Sequence, residues 1–96
     1  MKWRLVITPR VQVELRILPP QTKQYIRQAF LAISQDPRNG KPLRDELTGL
    51  HSFRAKRFRV VYRIQRQTVS VVVVGVGPRE TIYQELTARF HSGVLE

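Results

Sequence analysis

The sequence predicts an α+β fold in which a small antiparallel sheet is packed on one face by two N-terminal helices. Three features support this prediction: a short alternating run at the N-terminus, two amphipathic segments bounded by prolines, and three consecutive strand-like runs. The predicted order of elements is therefore β-α-α-β-β-β-α. A chain of 96 residues fits one domain, and we assign residues 1–96 to a single domain.

The N-terminal segment predicts a strand followed by a short helix. Large apolar residues occupy every second position of Lys2–Ile7, which is the pattern of a half-buried strand. Thr8 and Pro9 then combine an N-cap residue with a proline at the first helical position. The segment Val11–Leu18 fits a strand alternation almost as well as a helical face. The prolines on both sides of it, the second pair being Pro19–Pro20, favour the helix.

The next segment predicts a longer helix and a connector. Apolar residues in Gln21–Gln35 recur at helical spacing along one face, and Asp36–Pro37 ends the pattern. Residues Arg38–Pro42 are rich in turn formers, and we expect Leu43–Leu50 to form a loop.

Two runs with alternating cations predict a β-hairpin. The first is His51–Lys56, where we expect Arg54 and Lys56 to share one face of the strand. A tight turn at Lys56–Arg57 leads into the second run, Phe58–Gln65. Its apolar residues are expected to face the core, and the opposite face carries Arg59, Val61 and Arg63.

The C-terminal part predicts one more strand and a final helix. Thr68–Val74 is apolar on both faces and is expected to be the most buried strand, which Gly75–Pro78 terminates. Apolar residues at four-residue steps in Glu80–Phe90 predict a helix ending near Ser92–Gly93. The helices thus cover one face of the sheet, and we expect a cationic face to stay open.

The charge of the chain is strongly positive and concentrated. Seventeen Lys and Arg against seven Asp and Glu give a formal net charge of +10. Such a charge favours a polyanionic partner, namely RNA, DNA or an acidic protein, over a solvated basic surface. Six cations fall within thirteen residues: Arg54, Lys56, Arg57, Arg59, Arg63 and Arg66.

Composition also limits the chemistry. The chain has no cysteine, which excludes disulfides and thiolate metal sites. Its two histidines, His51 and His91, lack a second ligand at metal-binding spacing, and no P-loop is present, so we expect no cofactor. No segment has the length of a signal peptide's apolar region or of the ~18-residue membrane span, so we expect a cytoplasmic protein.

Three short motifs follow one another in the second half of the chain. They are Leu47-x-Gly49, the strand Phe58-Arg59-Val60-Val61-Tyr62, and Val76-Gly77-Pro78-Arg79 leading to Tyr83. With these motifs the chain resembles the RelE/ParE toxin superfamily, and within it the RelE-like mRNA interferases. The resemblance implies the toxin of a type II toxin-antitoxin system, which cleaves mRNA in the ribosomal A site next to 16S rRNA and is neutralised by an acidic antitoxin.

The resemblance also implies a set of catalytic residues. Arg54 and Lys56 are similar to the two cations of the family's second strand, and Arg59 to its transition-state arginine. Arg79 is similar to the arginine after the last strand, and Tyr83 to the tyrosine that stacks on the substrate. Arg54 departs from the best-known branch, which has lysine there. Because arginine stays charged and is a poor base, Lys56 becomes the candidate general base.

These residues suit a metal-independent endoribonuclease in which the RNA's own 2′-hydroxyl attacks the adjacent phosphorus. Arg59 and Arg79 would stabilise the charge that develops on the phosphate oxygens, because a guanidinium group matches them with two hydrogen bonds. Neighbouring cations would favour the neutral form of Lys56. We expect the remaining cations to bind RNA or simply to face solvent: Arg57, Arg63 and Arg66.

Two other functions remain open. The ParE-like branch of the superfamily inhibits DNA gyrase and lacks the catalytic residues. A non-catalytic RNA-binding module would also satisfy the cluster of cations, with an affinity that falls steeply with salt.

Overall fold

The computed structural model describes residues 2–91, which form three α-helices and a five-stranded sheet. The elements are β1 (Arg4–Ile7), α1 (Pro9–Arg16), α2 (Pro20–Gln35), β2 (Lys41–Pro42), β3 (Leu50–Ala55), β4 (Phe58–Gln65), β5 (Ser70–Pro78) and α3 (Ile82–His91). The predicted α+β class and the predicted order of the long elements are confirmed. The two-residue strand β2 was predicted as part of a turn-rich connector. The predicted helix end at Ser92–Gly93 lies outside the described residues.

The sheet has the strand order β1-β5-β4-β3-β2. Strands β2 to β5 pair antiparallel, whereas β1 pairs parallel with β5. The prediction of a purely antiparallel sheet was therefore wrong at this edge. The alternation of apolar residues in β1 reports its buried side and carries no information about the direction of the strand beside it.

The two N-terminal helices begin and end as their prolines predict. The hydroxyl of Thr8 accepts a hydrogen bond from the backbone N–H of Val11 at 3.4 Å, and Pro9 occupies the first turn of α1. This resolves the ambiguous segment as a helix. Helix α2 buries Ile26, Ala29 and Ile33 and ends where the chain becomes extended before Pro37.

Both faces of the sheet are packed. On the α1–α2 face, the two helices cover the apolar side chains of Val60, Tyr62, Val71 and Val73. On the opposite side, which we call the α3 face, α3 and the loop after β2 pack on Val61, Val72 and Val74. A cationic face was expected to stay open, but α3 covers part of it, because the apolar positions of α3 need a partner and β5 offers one.

Strand β5 continues through the two glycines that were predicted to end it. Gly75 pairs with Val61 and Val73 pairs with Tyr62, so Val74 is an extra residue that forms a bulge. The bulge places both Gly75 and Gly77 on the α3 face. A Cβ atom on Gly77 would lie 3.0 Å from Cδ1 of Ile82, and one on Gly75 would lie 3.1 Å from Cδ2 of Leu86. The glycines therefore let α3 pack directly against the strand.

None of the helices within residues 2–91 is long and apolar enough to cross a membrane.

Candidate active site

A cavity of about 420 Å³ lies on the α3 face, between the first turn of α3 and the strands β2 and β3. Four of the five residues predicted to be catalytic line it: Arg54, Arg59, Arg79 and Tyr83. Four further residues line the cavity, and none of them was predicted to belong to the site: Asn39, Lys41, Ser52 and Phe53.

Two arginines face the cavity from directly opposite positions of the β3–β4 hairpin. Arg54 pairs with Arg59 in the register of the two strands, which places both side chains on the same face. Their Cβ atoms are therefore roughly 5 Å apart, and like charges at such positions destabilise a sheet. Across residues 2–91, ion pairs join Arg10 to Glu14 and Arg38 to Asp36, and no acid pairs with either cavity arginine. A bound anion would relieve this repulsion.

Arg79 reaches the same place from the end of β5. Its backbone N–H donates a hydrogen bond of 2.9 Å to the carbonyl oxygen of Arg57, in the turn before β4. The preceding residues pair with the start of β4, with Gly77 opposite Arg59. The chain is thus fixed up to and including the backbone of Arg79. Three arginines line one cavity without a carboxylate among its lining residues.

Tyr83 is held in the cavity by a hydroxyl contact. Its phenolic oxygen lies 2.8 Å from the Oγ atom of Ser52, and either group can donate the hydrogen bond. Ser52 is buried in β3 two residues before Arg54, so strand alternation places both side chains on the α3 face. That alternation was the signal in the sequence that could have identified Ser52.

Lys56 lies outside the cavity. It occupies the β3–β4 turn with φ of 59°, and its Nζ atom is 5.3 Å from the centroid of the Tyr25 ring on α2. The prediction that Lys56 shares a face with Arg54 and Arg59 was wrong. Strand alternation ends at Ala55, and the reversal of the chain turns the next side chain toward the α1–α2 face.

The three cations predicted to bind RNA are spread along the hairpin. Arg57 is exposed in the turn beside Lys56. Arg63 shares the α3 face with Arg59 but lies four residues further along β4, roughly 13 Å away at ~3.3 Å per residue. Arg66 lies at the far end of β4, where it lines a separate depression with Trp3. None of the three lines the cavity.

Strand β2 brings Lys41 to the site. Lys41 pairs with Ser52 in the register of β2 and β3, so it faces the cavity from the sheet edge. The segment before it is held by Tyr62, whose hydroxyl donates a hydrogen bond to the carbonyl oxygen of Pro37. A Cβ atom on Gly40 would lie 2.9 Å from Cζ of Tyr62, so only glycine fits there. Burial raises the pKa of Tyr62 to about 12, which keeps this hydroxyl a donor.

The histidine of β3 belongs to the opposite side of the sheet. The ring of His51 stacks on Tyr62 with centroids 5.6 Å apart, and burial lowers the pKa of His51 from its usual value. No group of three or more His, Asp or Glu side chains able to hold a metal ion occurs within the described part of the chain.

Comparisons with known proteins agree with this architecture. Residues 5–83 match the family model described as the ParE toxin of type II toxin-antitoxin system, parDE. Toxin RelG of Mycobacterium tuberculosis is 36% identical over 86 residues, which cover 88% of this chain and 99% of RelG. Toxin RelE of the same organism is 32% identical over 84 residues, covering 85% of this chain and 87% of that protein.

Solved structures show the same fold. The toxin-antitoxin complex RelBE2 from Mycobacterium tuberculosis contains a chain that is 34% identical, with a TM-score of 0.75, over 82% of this chain and 100% of the other. A mutant of Escherichia coli toxin RelE in the free state also gives a TM-score of 0.75, over 99% of this chain and 100% of that one. Its identity is 23%, so this likeness concerns the fold alone.

Proposed function

Because the chain belongs to the ParE toxin family and is a RelE-like toxin of a type II toxin-antitoxin system, we propose that it is an endoribonuclease that cleaves mRNA in the ribosomal A site. The observation that carries the proposal is the convergence of Arg54, Arg59 and Arg79 with Tyr83 around one cavity that no lining carboxylate neutralises. A cluster of this kind suits a single phosphate group of an RNA backbone.

The chemistry needs the RNA, these side chains and water as proton acceptor and donor. The 2′-oxygen forms a bond to the adjacent phosphorus and loses its proton to water. The bond from phosphorus to the 5′-oxygen breaks, and the 5′-oxygen takes up a proton from water. The products are a 2′,3′-cyclic phosphate and a 5′-hydroxyl. The role of the protein is to align these atoms and to stabilise the negative charge on the phosphate oxygens.

Each of the four predicted catalytic residues that line the cavity has a defined part in this proposal. Arg59 and Arg79 approach from β4 and from the end of β5, so their guanidinium groups can bind different oxygens of one phosphate. Arg54 binds the same group from β3. Tyr83 stacks on a base of single-stranded RNA, as aromatic side chains commonly do. The ammonium group of Lys56 lies over the Tyr25 ring and Lys56 does not line the cavity, so we do not retain it as the general base.

The proposal is tested with purified ribosomes programmed with a defined mRNA. We expect Arg59→Ala to lower the single-turnover rate at saturating ribosome by about 10²–10³, the usual cost of removing one preorganised donor to the transition state. Arg63→Ala is the matched control, since Arg63 lies on the same face of the same strand outside the cavity. Its saturated rate should stay within about threefold. Wild-type protein that leaves the mRNA intact, or an Arg59→Ala variant that cuts at the wild-type rate, would refute the proposal.

We also propose that an acidic antitoxin binds this toxin and blocks the cavity. The related chains from Mycobacterium tuberculosis, Pyrococcus horikoshii and Escherichia coli were solved as toxin-antitoxin complexes. The net charge of +10 supports an acidic partner. We expect the partner to protect Arg59 and Arg79 from arginine-modifying reagents, whereas an antitoxin bound elsewhere would leave both reactive.

Inhibition of DNA gyrase is a second candidate function. Two observations favour it: the matching family model is that of the ParE toxins, and Lys56 lies away from the cavity. A supercoiling assay separates the two functions, since a gyrase inhibitor stops supercoiling whether or not ribosomes are present.

A further inference from the structure

The edge strand β2 brings an amine to the same face as the cavity arginines. Lys41 lies opposite Ser52, and Ser52 lies opposite Val61, so these three residues form one row across the sheet. Arg54 and Arg59 form the next row on the same face, two residues further along each strand, or roughly 6.6 Å. The four-carbon side chain of Lys41 is long enough to bridge adjacent rows.

We propose that Lys41 is a further substrate-binding residue, whose ammonium group binds a backbone phosphate of the single-stranded RNA held in the cavity. This inference rests on the proposed function, because it deepens the description of the same site. Arg79 and Tyr83 border the cavity at its α3 side, and Lys41 borders it at the opposite edge of the sheet. A phosphate between them is thus surrounded by cations on both sides.

The backbone that carries Lys41 is held in place before any substrate binds. On one side, Tyr62 fixes the segment by its hydrogen bond to Pro37 and by its close packing against Gly40. On the other side, the backbone N–H of Leu43 donates a hydrogen bond of 2.9 Å to the carbonyl oxygen of Leu50. A cation on such a fixed strand loses less conformational entropy on binding than one on a free loop.

The electrostatic surroundings of Lys41 also favour an anion. Adding an ammonium group to a cavity that already holds three guanidinium groups is unfavourable unless a negative group enters between them. Lysine on an edge strand can also prevent unwanted strand pairing, and that role predicts no effect on RNA affinity. The two roles therefore differ in a measurable quantity.

Binding of a short RNA that cannot be cleaved provides the test. The probe is a three-nucleotide RNA whose 2′-hydroxyls carry methyl groups, titrated at several salt concentrations. We expect Lys41→Gln to weaken binding roughly tenfold, as for loss of one hydrogen bond to a charged group. The slope of log K against log salt should become shallower by about 0.7, the value for one phosphate contact on a single strand. Lys41→Arg, which keeps the charge, should restore the slope.

Lys56→Gln is the matched control, because it removes the same side chain from the neighbouring turn. Its affinity should stay within about twofold of wild type, and its slope of log K against log salt should be unchanged. Thermal melting should show that all variants are folded. The inference is overturned if Lys41→Gln binds like wild type, if Lys56→Gln loses as much, or if the wild-type chain does not bind the probe. Ribosome-dependent cleavage is measured separately. If Lys41→Gln weakens binding while wild-type protein cuts no mRNA, the inference stands and the proposed function fails.

Discussion

The two faces of the sheet are covered in different ways, and only the α3 face carries the cavity. On the α1–α2 face, two helices close over the strands, and Ile26 and Tyr62 are almost completely buried. On the α3 face, one ten-residue helix packs against the glycines of β5 and leaves a cavity open beside β2 and β3. Both faces thus contribute apolar core, and only the second also keeps charged groups accessible at a fixed spacing.

The difference follows from what fills each face. The α1–α2 face is largely apolar on β1, β3, β4 and β5, so burial stabilises it by the hydrophobic effect. The α3 face places Arg54 opposite Arg59, a pairing that weakens the hairpin. Stability on one face therefore offsets an unfavourable arrangement on the other, a pattern expected where a site must bind an anion.

Removing a core side chain from the α1–α2 face should have the largest effect on stability. We expect Ile26→Ala to lower the free energy of unfolding by about 2–5 kcal/mol, because it leaves a cavity among buried residues. The rate of RNA cleavage per folded molecule should not change. Chemical denaturation measures the first quantity, and single-turnover cleavage well below the melting temperature measures the second. Ile17→Ala is the control: Ile17 is 83% exposed, so its change should be within about 0.5 kcal/mol.

The hydroxyl of Tyr62 links the closed face to the edge of the cavity. Tyr62→Phe leaves the carbonyl oxygen of Pro37 without its donor, and we expect the free energy of unfolding to fall by about 1–3 kcal/mol. Tyr25→Phe is the control, since the Tyr25 hydroxyl meets Gln21 at an exposed position and its loss should be within about 0.5 kcal/mol. Equal losses in both variants would mean that the Tyr62 hydroxyl does not hold the segment before β2.

The sequence predicts the closed face better than the face with the cavity. Helical spacing in α2 and alternation in β4 identify the buried residues directly, because burial on one side produces those periods. The residues of the α3 face are harder to identify, because they depend on features that leave no periodic pattern in the sequence. The bulge at Val74 changes which β5 residues face α3, and the two-residue strand β2 is too short to show alternation.

The same contrast explains why the sequence placed Arg54 and Arg59 correctly and Lys56 incorrectly. Arg54 and Arg59 lie within strands, and their shared face follows from alternation and a two-residue turn. Lys56 is the turn itself, where a positive φ changes the direction of the side chain. Lys41 was missed because its neighbour Ser52 is distant in the chain, and only the pairing of β2 with β3 brings the two together.

Breaking the contact between α3 and β3 should have a smaller effect than either core substitution. Ser52→Ala removes the partner of the Tyr83 hydroxyl, and we expect a loss of about 0.5–1.5 kcal/mol in the free energy of unfolding. Because Tyr83 would lose its fixed orientation, the cleavage rate should also fall several-fold, with the pH profile unchanged. Ser34→Ala, which removes an exposed hydroxyl bonded within α2, should alter neither quantity. A Ser52→Ala variant with wild-type cleavage would show that Tyr83 is positioned by α3 alone.

The smallest expected effect is a dependence of the free energy of unfolding on pH, which involves His51 on the α1–α2 face. Burial, and secondarily the charge of Arg66, lowers the pKa of His51 in the folded protein below the unfolded value of about 6.5. The unfolded chain therefore takes up a proton more readily, so the free energy of unfolding should fall as the pH decreases from about 7 to about 5. Asp36, whose pKa is lowered by its hydrogen bonds with Arg38, loses its contribution as its carboxylate takes up a proton at lower pH, below this window. Denaturant titrations should give a flatter dependence for His51→Gln and a partly flattened one for Arg66→Gln. If the stability of His51→Gln depends on pH as steeply as that of wild type, other groups cause the dependence. The stacking of His51 on Tyr62 would then not contribute to it.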